Sequence, residues 1–70
     1  MQLKNNLKNM RLSIGISQVQ LSYLSKVPNS HISQIEQEKM YCHPAWRERL
    51  AAALGVPVER VFPEGYGKQE

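Results

Sequence analysis

Apolar residues recur at intervals of three or four along the first part of the chain. They are Leu3, Leu7, Met10 and Ile14. This spacing is that of one face of an α-helix, and it predicts a first amphipathic helix over about residues 2–13. Gly15 follows directly and is a plausible C-cap, because glycine tolerates the left-handed conformation in which many helices end.

Two further apolar rhythms lie close together in "SQVQLSYLSKVPNSHISQIEQ", residues 17–37. Ser17 is a predicted N-cap for a second helix. The residues expected on or near its inner side are Val19, Leu21 and Leu24. Pro28 fits the first turn of a third helix, which should run to about Gln37 with Ile32 and Ile35 inward.

The break between these two helices is only "SKV", residues 25–27. Helices joined by so few residues cannot lie antiparallel, so we expect them to cross steeply, as in a helix-turn-helix. The residues expected to meet at the crossing are Leu21 and Leu24 from one helix and Ile32 and Ile35 from the other.

The last part of the chain predicts two more helices. Pro44 opens "PAWRERLAAALG" and Gly55 closes it. The inward residues of this fourth helix are Trp46, Leu50, Ala53 and Leu54. "VPVERVF" then supplies a final turn that closes the core with Val58, Val61 and Phe62. No segment alternates for long enough to be a strand, so the predicted fold class is all-α with five short helices. Residues 1–63 form the predicted domain, and "EGYGKQE", residues 64–70, is expected to be a flexible tail.

Composition adds modest constraints. Seventy residues with a net charge of +3 fit one small domain and mildly favour an anionic partner. The single cysteine, Cys42, excludes an internal disulfide and fits a reducing compartment. The start, "MQLKNNLKNMRL", has no long apolar run, so neither a signal peptide nor a membrane span is expected and the predicted location is the cytoplasm.

The third helix carries a face without charge. Its members are Asn29, Ser30, Ser33, Gln34 and Gln37. A solvated helix surface normally carries Lys and Glu, whereas amides and hydroxyls both donate and accept hydrogen bonds. Taken alone, the pattern also fits ordinary exposed polar residues, so both interpretations stay open at this point.

The stretch "SQVQLSYLSKVPNSHISQIEQEK" resembles the helix-turn-helix core of XRE/Cro-type regulators, which include the small lambdoid phage repressors and Cro proteins. The matching residues are Ile16, Ser17, Gln18, Leu21, Val27, Ile32, Ser33, Ile35 and Glu36. "LKNMR", Gly15 and "LAAALGVPVERVF" match on the flanks, so the resemblance covers about residues 3–63. It implies a compact five-helix lambda-repressor-like DNA-binding domain.

This chain departs from the family pattern at several positions. Ser22 and Ser25 replace alanines, and Pro28 replaces the usual serine cap. Glu38 and Lys39 replace the common Gly-Lys after the third helix. Lys26 stands where the family usually has glycine in the turn. A left-handed lysine there would be strained by about 1–2 kcal/mol.

By this resemblance, the third helix lies in the major groove of DNA and its N-terminal residues meet base edges. Asn and Gln can form two hydrogen bonds with adenine, and Ser bonds to several bases. The expected base-reading residues are Asn29, Ser30, Ser33 and Gln34. Gln37 is expected to lie beyond reach. Because the match to the family pattern extends over both flanks, base reading is favoured over the interpretation as ordinary exposed polar residues.

The resemblance also implies contacts to the DNA backbone, which position a protein without reading sequence. Ser17 and Gln18 begin the second helix, whose N-terminus attracts anions. The other candidates are His31, Lys39, Tyr41, His43 and Arg47. A solvated loop with a packed tyrosine is the competing interpretation for residues 39–43.

Arg11 and Glu36 match family positions whose side chains pair inside the domain, so we expect a structural ion pair. Trp46 and Met40 are expected to pack in the core or at an interface. Cys42 beside His43 is too small a set of ligands for a metal site, and no nucleophile with a base, paired carboxylates or phosphate-binding glycine loop is present. The chain is therefore not expected to be an enzyme or to hold a cofactor or metal.

One helix in one groove covers few base pairs, and relatives bind as twofold dimers. The expected partner is double-stranded DNA with a pseudo-palindromic operator, bound by a homodimer that is weak in solution. The predicted dimer surface is Val56, Pro57, Val58 and Phe62. Neither a membrane nor a small-molecule ligand is expected. The function predicted is that of a small transcriptional regulator, a repressor by expectation. The alternative is a protein-interaction module of the same fold, of the antitoxin or regulator-antagonist type.

Overall fold

The computed structural model describes residues 1–68, and within them the chain forms five α-helices and no strand. The helices are α1 (Leu7–Ile14), α2 (Gln18–Ser25), α3 (Asn29–Glu36), α4 (Pro44–Leu54) and α5 (Val58–Val61). The predicted all-α, five-helix architecture is confirmed, with α2 and α3 forming the helix-turn-helix.

Local capping signals fix three of the helix ends. Gly15 and Gly55 end α1 and α4 in the left-handed conformation, with φ of 80° and 71°. The Ser17 hydroxyl accepts the Gln20 backbone N–H at 3.0 Å, and the Gln20 side chain accepts the Ser17 backbone N–H at 2.7 Å. This reciprocal capping box satisfies donors that the start of α2 would otherwise leave unpaired.

Side chains from all five helices and from the segments between them form one core. Its fully buried members are Leu7, Leu21, Val27, Ile32, Ile35, Cys42, Leu50 and Val61. Half-buried Trp46 and Met40 pack against this core, as expected. Burial of Leu21 against Ile32 and Ile35 holds α2 and α3 in contact, and the outer face of α3 is thereby turned to solvent.

The first helix begins later than the apolar spacing predicts. The Asn5 side chain accepts the Leu7 N–H at 3.0 Å and donates to the Ile35 carbonyl at 3.0 Å. The Asn6 backbone N–H donates to the Val61 carbonyl at 2.7 Å. Asparagine side chains compete with helical hydrogen bonds in this way. Residues 1–6 are therefore not helical, and Asn5 and Asn6 bond to the rest of the domain instead.

The inner side of α2 is narrower than predicted. Val19 and Leu24 are 65% and 55% exposed, whereas Ser25 is 3% exposed and lies inward with Leu21. Ser25, four residues after Leu21, shares its face of the helix, whereas Leu24, three residues after Leu21, lies to the side of that face. The expectation that Leu24 faces Ile32 and Ile35 is therefore wrong.

The turn between α2 and α3 is built around Lys26, which adopts the left-handed conformation with φ 63°. The two serines that replace the family's alanines both support this turn. The Ser22 hydroxyl donates to the Val27 carbonyl at 2.7 Å. The Ser25 hydroxyl donates to the Leu21 carbonyl at 2.7 Å and accepts the Val27 N–H at 3.3 Å.

The segment after α5 is packed, which corrects the prediction of a tail starting at residue 64. Tyr66 is 3% exposed, and its hydroxyl accepts the Cys42 N–H at 2.8 Å. Gln2 donates to the Lys68 carbonyl at 3.0 Å and accepts the Gly67 N–H at 2.6 Å. A side chain at Gly67 would collide with the Tyr41 ring. Residues 64–68 thus extend the domain, and residues 69–70 lie outside the described residues.

Phe62 also differs from its predicted place. It is 2% exposed and meets the Tyr66 ring edge-on at a centroid distance of 4.9 Å. The phenyl ring fills the core where the chain turns from α5 towards Tyr66, so it cannot belong to the surface on which a partner was predicted.

Candidate nucleic-acid interface

The uncharged face of α3 projects from the domain. Asn29, Ser30, Gln34 and Gln37 are exposed or partly exposed, and Ser33 is half-buried. Ile32 and Ile35, on the opposite side of the helix, are fully buried. The structure thus places all four predicted base-reading residues on one face of α3, a helix that the core anchors through its opposite face.

Three side chains of this face are available for new hydrogen bonds. Asn29, Ser30 and Gln34 make no side-chain hydrogen bond within residues 1–68, whereas Gln37 donates to the Ser33 hydroxyl at 3.0 Å. Each available group can donate and accept. A bound partner could therefore pair with these three residues without breaking an existing contact.

A buried polar network sets the position of α3. Arg11 of α1 donates through Nε and Nη2 to the two carboxylate oxygens of Glu36, at 2.7 and 3.1 Å. Gln18, at the start of α2, donates to Glu36 Oε1 at 3.0 Å. Arg11 also donates to the Ile16 carbonyl at 2.9 Å. The hydrogen bond to Glu36 raises the pKa of Arg11, while burial acts in the opposite direction. Three helices are therefore joined at the end of α3.

This network also holds Gln18 and adjoins Ser17, two predicted backbone contacts. One amide hydrogen of Gln18 is engaged by Glu36, so the other hydrogen and the amide oxygen remain. The Ser17 oxygen accepts the capping hydrogen bond, which leaves its O–H as a donor. Both residues lie at the start of α2, the end of a helix that favours anions.

His31 and His43 both pack against Trp46. The His31 ring lies 5.0 Å from the Trp46 ring, and the His43 ring lies 4.7 Å from it. This three-ring cluster links α3 to the start of α4. Nothing in the sequence indicated it, because the two helices are brought together only by the fold.

Arg47 and Tyr41 are held by internal contacts. Arg47 donates to the Cys42 carbonyl and to the Tyr41 hydroxyl, each at 2.7 Å. Its guanidinium also lies over the Tyr66 ring at 5.0 Å. Tyr41 stacks beside Tyr66 with ring centres 5.8 Å apart. Among the residues predicted for the loop, Lys39 and His43 remain exposed.

Cys42 has no part in this surface. It is fully buried, and desolvation raises its pKa to about 12, with Arg47 acting weakly in the opposite direction. The side chain is therefore a neutral thiol near pH 7. Within residues 1–68, no three His, Cys, Asp or Glu side chains are grouped as a metal site would require.

The predicted dimer surface is smaller than expected because Phe62 is in the core. Pro57 is exposed, and Val56 and Val58 are half-buried. A second apolar surface, on α2, was not predicted. It is a groove of about 430 Å³ lined by Ile16, Val19, Gln20, Tyr23 and Leu24. The sequence signal for this groove was that α2 contains no charged residue.

None of the helices in the described part of the chain is long and apolar enough to span a membrane.

Comparison with known proteins supports the architecture. No protein-family model matches the chain, and no curated protein matches it. Among solved structures, the chain is similar to the restriction-modification controller protein C.AhdI from Aeromonas hydrophila. The two are 25% identical with a TM-score of 0.77, over 79% of this chain and 83% of that one. This similarity confirms the resemblance to XRE/Cro-type proteins and the lambda-repressor-like fold.

Proposed function

We propose that this chain, which has the fold of the XRE/Cro-type helix-turn-helix regulators, is a sequence-specific double-stranded DNA-binding protein that regulates transcription. The observation that carries the proposal is the outer face of α3, where Asn29, Ser30 and Gln34 have no side-chain hydrogen-bond partner within residues 1–68. In the proposed complex these side chains meet base edges in the major groove.

The surroundings of this face fit the proposal. Glu36 is the acidic side chain at the end of α3, and Arg11 neutralises it at 2.7 Å. The net charge of the whole chain is +3. Backbone contacts from Gln18, Lys39 and His43 would flank the base-reading residues, while Ser33, paired with Gln37, would play a smaller part.

The similarity to a restriction-modification controller protein favours a regulatory role over an enzymatic one. We propose repression, because a domain of this kind that covers a promoter blocks access to it. A reporter gene fused downstream of the bound site should be expressed less when the protein is present.

Selection of bound duplexes from random DNA tests the central proposal. We expect one recovered sequence with twofold symmetry, half-sites about one helical turn apart, and an affinity that falls steeply as salt is raised. Gel filtration of the free protein should show a monomer or a weak dimer. In the proposed dimer, Val56, Pro57 and Val58 form the contact. Recovery of no preferred sequence would refute the proposal.

The apolar groove on α2 favours a second candidate, a module that binds a protein through this surface. Binding to an apolar groove is insensitive to salt and to DNA sequence. Tyr23→Ala and Leu24→Ala would then abolish binding of the partner, whereas under the DNA-binding proposal both variants keep the affinity for the selected duplex.

A further inference from the structure

The His31 ring lies on the flank of α3 that faces α4. Glu36, on the other flank, contacts Arg11 and Gln18. His31 instead packs against Trp46, with ring centres 5.0 Å apart and planes inclined by 34°. Trp46 is half-buried against the core and also contacts His43, at 4.7 Å. The imidazole of His31 is therefore supported on one side by a ring that the core holds in place.

The two nitrogens of His31 are in different environments. Nδ1 is buried and has no hydrogen-bond partner. Nε2 is accessible to solvent and makes no hydrogen bond within residues 1–68. A neutral imidazole carries its proton on one nitrogen only, and the other nitrogen is a bare acceptor.

The buried position is unfavourable for an N–H group. An N–H at Nδ1 would have no acceptor, and with the rings inclined by 34° it would not point at the face of the indole. A proton at Nε2 keeps its contact with water. The proton of the neutral ring therefore belongs on Nε2, the nitrogen on the solvent side.

We infer that His31 gives its Nε2–H to a DNA phosphate oxygen beside the groove, and that Trp46 is the positioning residue that fixes the orientation of the ring and the tautomer of its uncharged form. The inference rests on the proposed DNA-binding function. A phosphate oxygen only accepts hydrogen bonds, so it requires a donor of this kind. The position of His31 on the flank of α3 that faces α4, at the edge of the uncharged face, fits a backbone contact better than a base contact.

The first test needs no DNA. Long-range nitrogen–proton NMR spectra of the ¹⁵N-histidine-labelled chain report which nitrogen of His31 carries the proton. We expect the Nε2–H form in the wild type and in Trp46→Phe, which keeps an aromatic ring there, and a mixture of both tautomers in folded Trp46→Leu. A wild type in the Nδ1–H form would overturn the inference, as would a Trp46→Leu variant that remains wholly Nε2–H.

The second test uses the duplex selected from random DNA. His31→Phe keeps a ring against Trp46 but removes the donor, and we expect about tenfold weaker binding, the effect of one hydrogen bond to a charged group. The loss should be equal on selected and unrelated duplexes. A methylphosphonate at the contacted phosphate should weaken the wild type and have no further effect on His31→Phe.

The outcomes separate this inference from the proposed function. If no duplex is selected, the proposed function fails. If the wild type binds a selected duplex, and His31→Phe with an unchanged melting temperature binds it equally well, the DNA-binding function stands and the role of His31 is refuted. If His31→Phe does not fold, the contact is tested in the wild type by replacing each phosphate of the duplex in turn with a methylphosphonate. The role of His31 is refuted if no replacement near α4 weakens binding.

Discussion

Arg11 and Glu36, 25 positions apart in the sequence, form a two-pronged ion pair with distances of 2.7 and 3.1 Å. Their side chains are only 8% and 3% exposed. Because Glu36 is the last residue of α3 and Arg11 lies in α1, the pair joins the end of α3 to α1, while Ile32 and Ile35 anchor the rest of the helix in the core. The uncharged outer face of α3 depends on this contact for its orientation.

Replacing Arg11 by alanine should therefore lower stability. The variant leaves the Glu36 carboxylate buried with Gln18 as its remaining partner, and breaking such a pair costs about 3–5 kcal/mol. In a small domain this approaches the whole free energy of unfolding. Thermal unfolding followed by circular dichroism should show a marked decrease in the melting temperature.

The matched control is Arg49→Ala. Arg49 is an exposed arginine of α4 without a side-chain partner in the described part of the chain, so its loss should leave the melting curve nearly unchanged. An unchanged curve for Arg11→Ala together with lost DNA binding would assign Arg11 to DNA instead of to the fold.

Gln34→Ala should lose discrimination at one base. An exposed amide that forms two hydrogen bonds with a base contributes about 1–3 kcal/mol of preference for it. Binding to the selected duplex and to its single-base variants, measured by fluorescence anisotropy, should show the loss at a single position. Asn29→Ala should act in the same way at a different position.

Lys39→Ala is the control for backbone contact. Loss of this side chain should weaken binding by the same factor on all sequences. The slope of the logarithm of the binding constant against the logarithm of the salt concentration should become shallower by about one. An even loss for Gln34→Ala as well would place the Gln34 side chain on the backbone.

Local capping explains why most helix ends were predicted correctly. Gly15, Ser17 and Gly55 act through contacts within a few residues, which a sequence displays directly. The start of α1 was missed because Asn5 bonds to the Ile35 carbonyl, 30 positions away. A preference for helix in residues 2–6 could not reveal that competing long-range contact.

The site was predictable to a similar degree. The outer face of α3 follows from helix period once Ile32 and Ile35 are assigned to the core, and the structure exposes the residues expected there except Ser33, which is half-buried. The contacts of Arg47 and Trp46 were not predictable, because they depend on how α4 lies against Tyr66 and α3. Trp46 packs against His31 and Arg47 lies over Tyr66, and both of these neighbours are distant in the sequence.

Lys26→Gly should stabilise the domain. Lys26 has φ 63°, where a residue with a Cβ is strained by about 1–2 kcal/mol. Part of the gain is offset by the greater freedom of glycine in the unfolded chain and by the lost contact of the Lys26 ammonium with the Tyr23 ring, at 5.2 Å. A net gain of about 0.5 kcal/mol is expected from urea unfolding.

Lys26→Ala separates the two contributions. Alanine loses the contact with Tyr23 but keeps the strain, so this variant should be no more stable than the wild type. A gain for Lys26→Ala equal to that of Lys26→Gly would show that left-handed strain is not the cause.

Tyr66→Phe should destabilise the domain without changing its shape. The variant removes the hydroxyl that accepts the Cys42 N–H at 2.8 Å, and a buried donor left unpaired costs about 1–3 kcal/mol. Urea unfolding measures the decrease. Tyr23→Phe is the control, because Tyr23 is exposed and its hydroxyl makes no hydrogen bond within residues 1–68. Equal stability of Tyr66→Phe and the wild type would favour a tail that does not pack.

Alkaline pH should weaken the fold through Cys42. Its pKa is raised from the ordinary value of 9.0 to about 12, so the folded state holds the thiol proton that the unfolded state releases. The stability associated with the neutral thiol is fully present below pH 9.0 and is lost as the pH rises through about 12. Burial also raises the pKa of Tyr66, which adds to the same trend.

Urea unfolding across this range should show a free energy of unfolding that falls with pH. Cys42→Ala should make the fall shallower, while the contribution of Tyr66 remains. An identical pH dependence in the two proteins would mean that the thiol ionises as easily in the folded state as in the unfolded one.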